Sequence, residues 1–149
     1  GCELASACDM VLASEDAQFG QQEVKVGAIP TVATVLLPRI IGRKKAFEII
    51  LTGDTITAAE AKQIGLVNGV YPAAELEEAV KKLVEKFKEK SSVVLKLVRM
   101  AVYQGLDKDF KEALDGVTDM YVNRLMKTED AVEGLKAFLE KRKPVWKGR

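Results

Sequence analysis

Apolar and polar positions alternate in short blocks over residues 1–72, and beyond Pro72 they settle into a longer helical rhythm. Residues 1–8 carry mostly small side chains and predict a short helix. "MVLA" at 10–13, bounded by Asp9 and the polar "SED", predicts a buried strand, and "AQFG" at 17–20 a second. "QQEVKVGAIP" reads as a loop, because Gly27 and Pro30 forbid a long helix. From Val32 to Ile41 the chain is apolar on nearly every side, which predicts a buried helix or packed turn closed by Gly42. "RKKAFEIILTG" predicts a helix ended by Gly53. "TAAE" at 57–60 matches a capping box with Thr57 as N-cap and Glu60 reaching back. Gly65 ends that helix, and "LVNGVYP" follows as a last strand.

After Pro72 strand signals vanish, and residues 74–143 read as three helices separated by Ser91-Ser92, Gly105 and Thr128. In the first, Leu76, Val80, Leu83 and Phe87 recur every three or four residues and form one apolar stripe that needs a covering surface. The change of character predicts an α/β chain in two regions, 1–72 with the strands and 73–149 all helical. The strands of the first region are too few to close a sheet, since short isolated strands leave unpaired edges.

Composition narrows the chemistry. The 149 residues are 48% hydrophobic and 30% charged, as in an ordinary folded domain with a core. Lys plus Arg number 23 against 22 Asp plus Glu, a net charge of +1, so no global field draws nucleic acid or an anionic membrane. No histidine is present, which removes Ser-His-Asp and Cys-His nucleophile systems and the commonest zinc ligand. Cys2 and Cys8, the two cysteines, suit a reduced protein better than a disulfide framework, and neither reads as a metal ligand. With no apolar run of membrane-spanning length and no signal peptide at the start, a cytoplasmic location is expected.

Proton transfer then falls to carboxylates, Lys, Tyr or Cys, which directs attention to "GCELASACD" at the start of the chain. A leading Gly1 would let another molecule approach a helix N-terminus, where backbone N–H groups and the positive end of the dipole favour an anion. The alternative for Glu3 is a first-turn acid that complements the dipole. For Glu23, in the loop, the alternative is a solvated acid.

Taken together, "GCELASACDMVLASEDAQFGQQEVKVGAIP", "LPRIIGRKKAFEIILTGDTITAAEAKQIGLVNGVYP" and "FLEKRKPVWK" resemble the enoyl-CoA hydratase/isomerase (crotonase) family. The resemblance covers essentially all 149 residues in family order but only the family's C-terminal part. It implies the end of a ClpP/crotonase spiral ββα core over 1–72 and a helical oligomerisation region over 73–149. Glu3 and Glu23 fall on the family's two catalytic glutamates, and Gly1 follows the glycine that supplies an oxyanion-hole N–H. Adding water to a C=C conjugated with a thioester needs one group to deprotonate water and one to protonate the α carbon. Two backbone N–H groups meanwhile stabilise the enolate oxygen. The resemblance implies that Glu3 handles water and Glu23 delivers the proton, with one of the two carboxyls protonated. It also implies that Phe138 and Lys141 hold the nucleotide end of coenzyme A beside a neighbouring subunit, in a trimer or hexamer. Coenzyme A is part of the acyl-CoA substrate, and no separate cofactor is expected.

Two departures from the pattern bear on the substrate. Where the family has a glycine-rich turn, roughly "PGFGGTQRLPR", this chain reads "PTVATVLLPR", and Gln22 replaces a proline. Thr31 and Val32 add bulk and β-branching at the wall of the acyl pocket, which resembles hydratases of cyclic dienoyl-CoA thioesters; Thr31 as a helix N-cap and Val32 as core is the alternative. Rival readings are a double-bond isomerase or C–C hydrolase acting on a CoA thioester, an RNA-binding module using the basic tail, and an assembly piece. Because the first oxyanion N–H and most of the coenzyme cradle belong to the family's N-terminal half, residues 1–149 alone are expected to be inactive.

Overall fold

A computed structural model describes residues Gly1–Arg149, which pack as two units, Gly1–Lys81 and Lys82–Arg149. In the first unit the order is α1 (Cys2–Ala7), β1 (Leu12–Ser14), β2 (Gln18–Gly20), a one-turn 3-10 helix (Glu23–Val26), α2 (Ala33–Ile40) and α3 (Arg43–Thr52). β3 (Thr55–Thr57), α4 (Ala58–Gln63) and β4 (Gly69–Tyr71) follow, and α5 (Ala73–Lys88) begins there. The all-helical stretch thus starts at Ala73, and the boundary between the two packed units falls inside α5.

The strands form two pairs. β1 runs parallel to β4, with Leu12 opposite Gly69, and β2 runs antiparallel to β3, with Phe19 opposite Ile56. The first strand begins two residues later than the hydrophobic pattern suggests, because Val11 is held by Asn68 instead of by a ladder. The Val11 N–H donates to Asn68 Oδ1 at 2.8 Å and the Val11 carbonyl accepts from the Asn68 N–H at 2.8 Å. β3, "TIT", escaped the sequence reading: only Ile56 of its three residues is buried, and three residues are too few to show an alternation.

The core of this unit gathers Ala13, Phe19, Ala33, Leu37, Ile49 and Ile56 with several alanines. The capping box at α4 is present as expected: the Glu60 N–H donates to Thr57 Oγ1 and the Thr57 N–H to Glu60 Oε2. The expectation of a helix buried on every side between Val32 and Ile41 needs correction. Ala33 and Leu37, one turn apart, are buried, but Val35 is half exposed and Val32 and Ile40 nearly so. A helix of eight residues packed on one side can bury only one stripe.

The second unit holds the end of α5, then α6 (Ser92–Gly105), α7 (Phe110–Asn123), a 3-10 turn (Leu125–Lys127) and α8 (Glu129–Leu139). The three separators read from the sequence are all breaks, but with α5 they bound four α-helices instead of three. Ser91, Asp109 and Thr128 cap α6, α7 and α8 with side-chain oxygens. The stripe on α5 has no fully buried member, and Val80 and Phe87 remain partly exposed.

The last residues fold back on α8. Asp130, 1% exposed, accepts from Ser91 Oγ at 2.5 Å and from the N–H groups of Lys147 and Gly148 at 2.7 and 3.0 Å. Glu133 takes both terminal nitrogens of Arg142 at 2.6 and 3.0 Å and the Val145 N–H at 2.8 Å. Trp146, the single tryptophan, donates its indole N–H to the Glu89 carbonyl at 2.8 Å. The Ser91 hydroxyl and the two backbone donors hold the Asp130 carboxyl below the usual range. The Arg142 fork and the Val145 N–H hold Glu133 down at about 2.

A depressed carboxylate stabilises the folded arrangement above its unfolded pKa and loses that contribution as pH falls through its folded value. The tail is therefore expected to stay docked at neutral pH and to release as pH drops from the ordinary glutamate range towards about 2. Trp146 fluorescence reports the release, and Glu133→Gln should move it to higher pH. An unmoved transition in that variant would show that Glu133 does not hold the tail.

Candidate active site

α1 is short and carries its acid in the first turn. The Glu3 side chain turns away from its own helix, and Oε1 accepts from the N–H groups of both Val32 and Ala33 at 2.9 Å. α2 has no side-chain cap of its own, since Val32 occupies the N-cap position. Glu3 therefore does the work of a capping residue from 29 and 30 positions away, satisfying orphan donors at the positive end of α2. Thr31 does not serve as the N-cap: its carbonyl accepts from Thr34 Oγ1, and its side chain is exposed beside Val32, itself 41% exposed. Glu3 Oε2 has no protein partner.

Glu23 opens the 3-10 turn, which closes at Gly27 in a left-handed conformation, φ 77°. Two glycines seat this loop. A Cβ on Gly20 would lie 2.9 Å from the Asp54 carbonyl oxygen, and Gly53 takes a left-handed φ of 67° that favours glycine. Lys25 pairs with Asp54 at 3.3 Å and adds a polar tie. Within this frame Glu23 is half-buried, and its Oε2 is fully buried with no hydrogen-bond partner. The amide nitrogen of Gln21, a residue 1% exposed, is likewise buried and unpartnered. An open recess of about 480 Å³ is lined by Gly20, Gln22, Glu23, Lys25 and Val26.

Cys2 joins the two glutamate segments, because its thiol lies against the Gly20 backbone. Burial pushes that thiol above its ordinary value, so it is no ready nucleophile. Gly1 caps α1 with its carbonyl, which accepts from Ala5 N–H at 2.9 Å, and the space where its Cβ would project is open. Gly1, Glu3, Glu23, Thr31 and Val32 thus belong to one unit and one set of linked segments. Phe138 and Lys141 belong to the second unit; Phe138 is 81% exposed and Lys141 is exposed at φ 53°. No cluster of three or more His, Cys, Asp or Glu side chains is arranged to hold a metal ion.

A family model described as enoyl-CoA hydratase/isomerase matches residues 1–149. The chain belongs to this family. It is 40% identical over 147 residues to a probable mitochondrial enoyl-CoA hydratase of Dictyostelium discoideum, covering 98% of this chain and 53% of that protein. It is 40% identical over 144 residues to the crotonyl-CoA hydratase of Syntrophomonas wolfei, covering 96% and 55%. Its fold matches the enoyl-CoA hydratase of Bacillus anthracis at a TM-score of 0.94 and 39% identity, over 100% of this chain and 58% of that one. The chain spans about half the length of the curated relatives it matches. The crotonase-type α/β fold expected from the sequence is the one observed. No helix of the chain is long and apolar enough to cross a membrane.

Sequence reasoning missed the side-chain amide of Gln21 and the tie from Glu3 to α2. Both depend on contacts that no local spacing announces. Removing the tie tests its structural share: Glu3→Ala is expected to destabilise the fold by about 1–2 kcal/mol, as loss of a helix cap does. Glu3→Gln keeps an acceptor oxygen and should lose much less. Equal urea midpoints for wild type and Glu3→Ala would show that α2 does not depend on this carboxylate.

Proposed function

We propose that the protein containing this chain adds water across the double bond of a 2-enoyl-CoA thioester. The observation that carries the reading is the unequal setting of the two glutamates. Glu3 is anchored through Oε1 by two N–H donors, which leaves Oε2 unbonded, while Glu23 holds a buried oxygen without a partner in the chain. The names of the relatives from Dictyostelium and Syntrophomonas support the same chemistry.

In the proposed reaction Glu3 accepts a proton from water as the water oxygen bonds to the β carbon. Electrons move into the thioester carbonyl, and backbone N–H groups, including those at the start of α1 near Gly1, stabilise the enolate oxygen. Glu23 then delivers a proton to the α carbon. Water has been added in full, and the proton on Glu3 returns to Glu23 through solvent. Coenzyme A is part of the substrate, and the reaction needs no further cofactor. Phe138 and Lys141 hold the nucleotide end, Phe138 covering the adenine and Lys141 meeting a phosphate, beside a neighbouring copy in a trimer or hexamer. Two free cysteines suit a reducing compartment, and the cytoplasm is the proposed location.

In the complete protein Glu3→Gln and Glu23→Gln should each lower kcat on crotonyl-CoA by about two to four orders of magnitude, with KM changed far less. Turnover of a 3-enoyl-CoA that depends on Glu23 but not on Glu3, without hydration of crotonyl-CoA, would identify double-bond isomerisation, which can run on a single carboxylate shuttling one proton. Near-normal rates in both variants would remove this pair from the mechanism.

Thr31 and Val32 are proposed to border the acyl pocket, where their stiffness favours a ring over a flexible chain. A competition between a cyclohexadiene-carbonyl-CoA and crotonyl-CoA reads this as a ratio of kcat/KM values. A preference for the cyclic thioester of about ten-fold, near 1.4 kcal/mol in the transition state, is the expected result. Preference for crotonyl-CoA would end the idea.

A further inference from the structure

The end of α8 contains a conformation that its sequence disfavours. Lys141 N–H donates to the Phe138 carbonyl at 3.2 Å and Arg142 N–H to the Ala137 carbonyl at 3.0 Å, the double closure of a Schellman motif. The position that closes such a motif is left-handed and usually glycine, yet here it is Lys141, at φ 53° the one non-glycine residue with positive φ. Such a conformation persists only when its surroundings over-determine it. The surroundings are the residues on either side. Arg142 is forked onto Glu133 at 2.6 and 3.0 Å and reaches Glu140 through Nε at 2.5 Å, while Glu133 also takes the Val145 N–H at 2.8 Å. Asp130 then fixes the chain at Lys147 and Gly148.

The same contacts sort the charges of the tail. Glu133 and Glu140 are committed to Arg142, and Glu129 to Lys147 and Arg149. Lys141 and Lys143 are exposed and make no ion pair. The acids nearest in the fold are occupied elsewhere.

We propose that Glu133 is a positioning residue: by clamping Arg142 and Val145 it imposes the left-handed turn at Lys141 and so aims an uncompensated ammonium at a phosphate of the coenzyme A nucleotide. This rests on the proposed role of Lys141 in holding that nucleotide. The clamp also explains why a residue with a side chain occupies a glycine position. Glycine would relax the turn but would remove the cation.

The test uses the complete protein and two substrates, crotonyl-CoA and crotonyl-pantetheine, which lacks the nucleotide. Wild type should show a lower KM for the CoA thioester, and Lys141→Ala should erase most of that preference. Glu133→Gln should raise KM for crotonyl-CoA by about five-fold or more at unchanged kcat, with KM for crotonyl-pantetheine within about two-fold of wild type. The direction is informative, because removing a negative charge near an anionic ligand would tighten binding if charge alone acted. Glu133→Asp keeps the charge but withdraws the carboxylate from the fork; it should move KM the same way by a smaller factor, and it carries the test if Glu133→Gln fails to fold. Lost preference in Lys141→Ala with full preference in both Glu133 variants would overturn the positioning role alone. Equal KM values for the two substrates in wild type would overturn the nucleotide-holding reading and this inference with it.

Discussion

One carboxylate oxygen ties the start of the chain to the rest of its unit. Glu3 Oε1 meets the N–H groups of Val32 and Ala33 at the beginning of α2, where a helix has unsatisfied donors and the positive end of its dipole. α1, only six residues long, could not hold its orientation by its own hydrogen bonds. Packed on α2 through Glu3 and against Gly20 through Cys2, it takes one orientation, and the direction of Glu3 follows. The bond that builds the fold is also the bond that aims the proposed base.

Glu23 is fixed by a different kind of constraint. Its loop is seated by a close backbone approach at Gly20, where a side chain would collide with the Asp54 carbonyl, and by the left-handed turn at Gly53. The outcome is a buried carboxyl oxygen with no hydrogen-bond partner in the chain. An unpartnered buried polar atom is unfavourable for stability. The two glutamates proposed for catalysis are thus held in opposite ways, one by hydrogen bonding and the other without it.

The second unit solves an electrostatic problem with the same economy of parts. Glu129, Asp130 and Glu133 lie in the first turns of α8, where negative charge complements the helix dipole, and they draw the basic residues 142–149 back onto the helix. A tail that would otherwise move freely becomes an ordered strap. Along the unit's surface Phe110, Phe138 and Leu139 stay about 80% exposed. Neighbouring chain, whether a further segment or another subunit, is the ordinary means of covering such side chains.

Much of the local structure was legible in the residues themselves. The capping box at Thr57 and Glu60, the stops at Gly53 and Gly65, the two early strands and the helical character beyond Pro72 all follow from short-range rules of hydrogen bonding and backbone sterics. The motifs around Glu3 and Glu23 also carried the family. What the residues could not decide is what lies opposite what. The strand at Thr55–Thr57 exists because Ile56 finds Phe19 across the pair, and the one-sided burial of α2 because only Ala33 and Leu37 face the core. Glu3 reads locally as an acid in its own helix's first turn, yet it caps another helix 29 residues on. Glu133 reads as one charge among many on α8 until Arg142 returns to it around a left-handed turn that no lysine would choose alone. Short-range forces set the elements; the partners were decided by long-range packing, because the same donors and acceptors have many possible mates until the tertiary fold brings one within reach.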